Sequence, residues 1–140
     1  MTTERSGHYL KYALFCKDTD ESLDDELSFK GILDLIDVDI PDNPPTGDAP
    51  ILLDLDVHLA FCIAGATPGP HSLQIAIRAP GLPLNTPPPE NVEWDEGIMF
   101  QRWIKTFRIP VQRLGRHIAV IVFDGAPLGE ASFMVRFRQG

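Results

Sequence analysis

Three side chains on one alternating run have the chemistry to hold a metal. In Ile51-Leu-Leu-Asp-Leu-Asp-Val-His-Leu-Ala-Phe-Cys-Ile63, the residues Asp54, Asp56 and His58 recur at every second position, and an extended strand sets such residues on one face. Carboxylates with an imidazole form a ligand set that zinc or iron accepts. Neighbours on a strand face lie about 6 to 7 Å apart, so three of them need help from the next strand to meet at one ion. A plain solvated face is the competing reading.

The acidic run Asp18-Thr-Asp20-Glu-Ser22-Leu-Asp24 has the alternating oxygens of a calcium loop, but its sixth position is Leu23 and its twelfth is Phe29. An EF-hand needs glycine and a bidentate glutamate there. What remains is a solvated loop or a looser calcium site at a sheet edge. The histidines, His8, His58, His71 and His117, show no paired metal spacing. No serine sits in a nucleophile elbow, and neither cysteine has an activating base beside it in sequence. Cys16 is expected in the core and Cys62 nearer the surface. No glycine-rich loop opens a helix to cradle phosphate. No catalytic grouping and no cofactor are therefore expected.

Trp94 stands among Glu93, Asp95 and Glu96 in a segment, residues 80 to 97, that holds five prolines including Pro87, Pro88 and Pro89. Its indole is either a plug over a sheet edge or an exposed anchor for a partner. The plug has a physical motive, since uncovered edges invite aggregation. The candidate binding residues are Trp94, Glu93, Asp95 and Pro88. A structureless stretch of this length is uncommon inside a compact domain, so part of it, around Val92 to Trp94, is expected along a sheet edge.

These residues have to be positioned by strands. Leu53, Leu55, Val57, Leu59 and Phe61 oppose the Asp54 face, giving one dry side and one wet side, as in antiparallel sheets. Further strands are expected over residues 8 to 16, 27 to 36, 72 to 79, 98 to 109, 114 to 123 and 131 to 138. In the first, Leu10, Tyr12, Leu14 and Cys16 share a face. The third and fourth are expected to pair as a hairpin across Ala64-Gly-Ala-Thr-Pro-Gly-Pro70. Ile118 to Phe123 is apolar on both faces, as in a central strand covered on both sides. Asp124-Gly125 gives the next reversal. The fold class is all-β: an antiparallel two-sheet sandwich of about seven to eight strands.

The chain of 140 residues is expected to form a single domain, with residues 1 to 7 flexible and residues 41 to 50 and 80 to 97 as Pro-rich connections. No apolar run approaches the ~18 residues of a spanning helix, and no secretory signal opens the chain. Two cysteines without export signals read as reduced thiols, which places the chain in the cytoplasm. The net charge is −8, which argues against nucleic acid as a partner. The charge is uneven: residues 1 to 60 hold 14 acids against 4 bases, and residues 98 to 140 hold 7 bases against 2 acids. Such a division either orients a partner or is cancelled where the halves interleave in space.

The stretch Gly115-Arg-His-Ile-Ala-Val-Ile-Val-Phe-Asp-Gly-Ala-Pro-Leu-Gly-Glu130, with Phe15-Cys-Lys-Asp18 and Leu27-Ser-Phe-Lys-Gly-Ile-Leu-Asp34, resembles a family of small bacterial domains of uncharacterised function with an immunoglobulin-like sandwich. The resemblance covers most of the chain. It implies a fold and carries no site residues across. His117 stands where such a strand would carry the tyrosine of a tyrosine corner. With no catalytic grouping, the expected function is a non-enzymatic protein-binding or assembly module that contacts another protein or a second copy of itself. The alternative is a metal-dependent ligand binder or enzyme using Asp54, Asp56 and His58.

Overall fold

A computed structural model describes residues 7–21, 26–39 and 53–138. The expected flexible start (apart from Gly7), the connection at 41–50 and the tip of the acidic run at 22–25 lie outside them. The described residues form nine strands in two sheets. These are β1 (Tyr9–Glu21), β2 (Leu27–Ile32), β3 (Leu35–Val38), β4 (Leu53–Ala64), β5 (Gly69–Arg78), β6 (Glu90–Trp94), β7 (Phe100–Val111), β8 (Gly115–Phe123) and β9 (Ala126–Phe137). One sheet runs β2-β1-β4-β7 and the other β3-β9-β8-β5-β6. Inward side chains of both build one core, including Phe15, Leu59, Phe61 and Ile63 from the first and Leu73, Ile121, Phe123 and Phe133 from the second. Phe15 meets Phe133 edge to face across the layers at 5.0 Å.

Two of the nine strands go beyond the seven runs named from the sequence, β6 at the place where an edge segment is expected, and both have physical causes. The run expected as one strand over 27 to 36 breaks where the chain changes sheet. Leu33 N–H donates to the Phe15 carbonyl on one side, and the Asp34 carbonyl accepts from Met134 N–H on the other. Past this break the chain forms β3, which lies parallel to β9. The second addition is β6, the part of the Pro-rich segment that lies along the edge of β5.

The expected β4–β5 hairpin does not form. β4 pairs with β1 and β7, whereas β5 pairs with β6 and β8, so Gly65 to Pro68 carries the chain between layers. Gly65 adopts φ +77, and its N–H donates to the Met99 carbonyl. Both flanking strands were recognisable by alternation, which says nothing about which sheet each joins. β7 continues through Pro110, where a stop was expected. β7 is an edge strand, and a proline without a donor is tolerated there.

The face assignment in β1 also changes. A register shift between Leu10 and Tyr12 turns Leu10, Ala13 and Phe15 toward the core and Tyr12, Leu14 and Cys16 to the outer side. Residues 17 to 21, expected in a loop, extend β1 as one arm of a hairpin with β2. Phe29 pairs along the backbone with Thr19, about 23 Å along a straight strand from Tyr12, yet its ring lies 5.6 Å from the Tyr12 ring. The arm therefore curls back over the outer face. Cys16, Ala60 and Cys62 on that face are at most 1% exposed, which corrects the expectation of a more exposed Cys62.

Trp94 closes the core at the β6 edge. It is 1% exposed, its indole N–H donates to the Ile98 carbonyl at 2.9 Å, and its ring meets Phe123 edge to face. Truncation leaves a large cavity in a close-packed interior. Trp94→Ala is expected to lower the unfolding free energy by about 3–5 kcal/mol. A urea titration reads this, and a loss below about 1 kcal/mol would remove the ring from the core.

Candidate functional site

The candidate metal face is not assembled as a ligand set. Asp56 accepts from Arg108 Nε at 3.0 Å, and His58 Nδ1 lies 3.1 Å from Thr106 Oγ1, both partners being on β7. Asp54 is exposed at the end of β4, opposite Pro110. Among the described residues no group of three or more His, Cys, Asp or Glu could hold a metal ion. The acidic run fares no better: Asp18 accepts from the Thr19 N–H, and Asp20 lies 3.9 Å from Lys30 on the hairpin arm. Burial pushes the Cys16 and Cys62 thiols up, away from the reactive thiolate.

The segment around Trp94 divides. The indole is inside, so it cannot anchor a partner, while Glu93, Asp95 and Pro88 are exposed. Three exposed ion pairs, Asp37 with Arg136, Asp39 with Arg138 and Asp56 with Arg108, join the acidic front of the chain to its basic back. That favours cancellation of the charge division over a dipolar surface.

The histidines hold two opposite environments. His71, with its side chain 8% exposed, places Nδ1 2.6 Å from Asp124 Oδ2 and Nε2 2.6 Å from the Thr67 carbonyl. Two oxygen acceptors at the two nitrogens call for the doubly protonated ring. The Thr67 bond first, then the Asp124 bond, raise the His71 pKa against its burial. Burial alone would raise the Asp124 carboxyl, but bonds from His71 and the Ser72 N–H and the charge of the imidazolium hold it below the usual range. Asp124 has φ +52, alone among the described non-glycine residues in that region, and its bonds to Ser72 and His71 fix this strained turn. With both nitrogens engaged, His71 is a latch between the start of β5 and the β8–β9 turn, and it has no lone pair to offer a substrate proton.

His117 is 1% exposed and stacks on Phe133 at 4.9 Å. Its Nδ1–H donates to the Gly115 carbonyl at 3.1 Å, and Nε2 has no partner. Burial pushes its pKa down, against the opposing influence of the Gly115 bond, so the ring is neutral.

One concave surface, of about 330 Å³, is lined by Lys17, Leu33, Leu35, Leu55 and Arg138, among others. Another lies at the open edge between the sheets, where β7 faces β5 and the segment leading to β6. One cavity of about 120 Å³ is lined by Ile77, Ala79, Leu82, Asn85, Ile109 and Pro110, among others. A second of about 190 Å³ is lined by Leu73, Ile75, Pro87, Pro88, Glu90 and Lys105, among others. Phe107 is a wall of both. Asn85 exchanges two backbone hydrogen bonds with Ile77, and Gln74 Nε2 donates to the Pro87 carbonyl. These bonds hold the outer lip along β5. Of the groove residues, only Pro88 stood among the sequence candidates. The available signal was the proline-rich stretch itself, which has to lie somewhere without donating a full ladder.

No protein-family model matches the chain, and no curated protein does. Among solved structures it is similar to Pseudomonas fluorescens alkylpurine DNA glycosylase AlkC bound to DNA containing an abasic site analog, at 19% identity and a TM-score of 0.42, over 58% of this chain and 25% of that one. The chain thus spans about a quarter of that protein's length. Two expectations are corrected here: the exclusion of nucleic acid, and the assignment as a protein-binding or assembly module. The structure it resembles is DNA-bound, and a net charge of −8 excludes nothing by itself, because phosphate contacts are decided by local clusters. A likeness of this size transfers neither DNA binding nor glycosylase chemistry to this chain.

The two histidines give two expectations. The His71 contribution to stability is fully present below the unfolded value of about 6.5 and is lost as pH rises through its higher folded value. Denaturant titrations from pH 6 to pH 9 should show wild type losing stability relative to His71→Gln, and parallel curves would reject the latch. For His117, substitution by Phe removes an orphaned buried acceptor and keeps the stacked ring. Stability at pH 7 should rise by about 1 kcal/mol, measured by chemical denaturation, and a fall would show that losing the Nδ1–H bond to Gly115 outweighs removing the orphaned acceptor.

Proposed function

We propose that this chain binds a small, elongated apolar molecule in the groove between β7 and the segment 80–89. The observation that carries this reading is the pair of cavities meeting at Phe107, floored by Leu73, Ile75, Ile77 and Ile109. Core side chains that other elements would cover are reached here from the edge. An apolar concavity with a few polar groups at its rim is the usual form of a ligand site. From Lys105 to Pro110 the wall runs about 17 Å along β7, and the cavities hold only about 120 and 190 Å³, which suits a single chain better than a fused ring system.

Two further readings belong to the same proposal. The immunoglobulin-like type is supported by sheets of four and five strands about one core. A cytoplasmic setting is supported by Cys16 and Cys62, both unpaired and buried.

The test uses octan-1-ol, a neutral probe, titrated into isotopically labelled protein. Saturable amide shifts are expected at Leu73, Ile77, Phe107 and Ile109. Phe107→Trp, which narrows both cavities, should weaken binding roughly tenfold. Shifts that do not saturate, or that scatter over both outer sheet faces, would refute the groove.

A further inference from the structure

We infer that the ligand of this groove carries an anionic group, a carboxylate in the simplest case, and that Arg113 is the residue that receives it. The inference rests on the apolar groove proposed above and adds its polar end. Of the cations in the basic back of the chain, Lys105 and Arg108 line the two cavities, Arg113 packs against Gly81, the neighbour of the wall residue Leu82, and the three are not equivalent. Lys105 Nζ lies 2.6 Å from Glu90 Oε1, an ion pair that joins β7 to β6 over the second cavity. Arg108 is opposed by Asp56 at 3.0 Å and by the charge of Asp54. An incoming anion would have to displace a carboxylate at either. Among the described residues Arg113 makes no ion pair, and it is exposed.

The position of Arg113 is built rather than incidental. Its stem lies on Gly81, where a Cβ would come within 2.8 Å of Arg113 Cδ and 2.9 Å of Nε, and Gly81 has φ +81. The positive φ favours glycine, and the missing Cβ leaves room for the Arg113 stem. The opposite turn answers in kind: Gly115 has φ +123, and a Cβ there would stand 3.1 Å from Pro80 Cγ. The turn after β5 and the turn before β8 thus interlock, and Leu82, next to Gly81, is a wall of the first cavity. This places Arg113, which has no ion-pair partner among the described residues, against the turn that leads into a wall of the first cavity. A planar fork of donors matches a carboxylate in two parallel bonds.

Octanoate and octan-1-ol distinguish the two claims. Wild type should bind octanoate about fivefold more tightly than the alcohol, and added sodium chloride should weaken the first and leave the second unchanged. Arg113→Gln should bring octanoate down to the affinity of the alcohol without moving the alcohol. Arg113→Lys should keep part of the preference, as a point charge does. Equal binding of the two probes by wild type, or octanoate binding untouched in Arg113→Gln, overturns the anionic group and leaves the groove standing. Absence of binding by either probe overturns the groove and this inference with it.

Discussion

The constraint on which this structure turns is the open edge between two sheets that share a core. Inside, side chains from both layers meet as Phe15 meets Phe133, and water is kept out by the sheets themselves. At the rim no sheet continues, so core residues end at solvent and the last strand of each layer offers unpaired backbone groups. At the edge between β7 and β6 both problems are met with proline. Pro110 stands within the edge strand β7, and Pro87, Pro88 and Pro89 lie along β5 where β6 would otherwise extend. Residues without an N–H cannot template a further strand. They also cannot pack as a strand would, and the two cavities lie where the covering is incomplete.

The outer faces show the same physics in another form. A one-residue register shift in β1 exchanges which side chains face inward. It places Tyr12 and Cys16 on the outer face, and the curled hairpin arm brings Phe29 over Tyr12. Sheet twist and coiling make such a return possible for a long two-stranded arm. Its consequence is that thiols on a nominally outer face lie in a dry layer, which is why burial dominates their titration.

Much of the secondary structure was legible because alternation is a local property. Leu55, Val57, Leu59 and Phe61 point inward along β4 as their spacing requires, and Asp124-Gly125 turns the chain between β8 and β9. What alternation cannot report is partnership. Nothing in Gly65-Ala-Thr-Pro68 distinguishes a hairpin from a crossing between layers, and nothing in the apolar outer residues of β8 shows that Ile118, Val120 and Val122 stay half-buried on an outer face. The wet face read from Asp54, Asp56 and His58 is wet only at one end, since Ala60 and Cys62 continue it under the hairpin. The groove was illegible for the same reason: its walls come from β5, β7 and the Pro-rich segment, far apart in sequence and ordinary one by one.

Hydrogen-bond environment, more than residue type, decides what the titratable groups can do here. His71 and His117 are the same side chain in two settings of one chain. One faces oxygens at both nitrogens and is held charged; the other has a single carbonyl and an apolar wall and is held neutral. Neither meets the demands of a general base, which needs an accessible lone pair near the operating pH. Along β4, Asp56 faces an arginine and His58 a hydroxyl, both from β7, so these groups tie the two strands together on the outer face. The groove proposed as a ligand site draws on none of these histidines, nor on Asp56. In the groove, the apolar floor supplies contact area, and only the rim charges can tell one ligand from another.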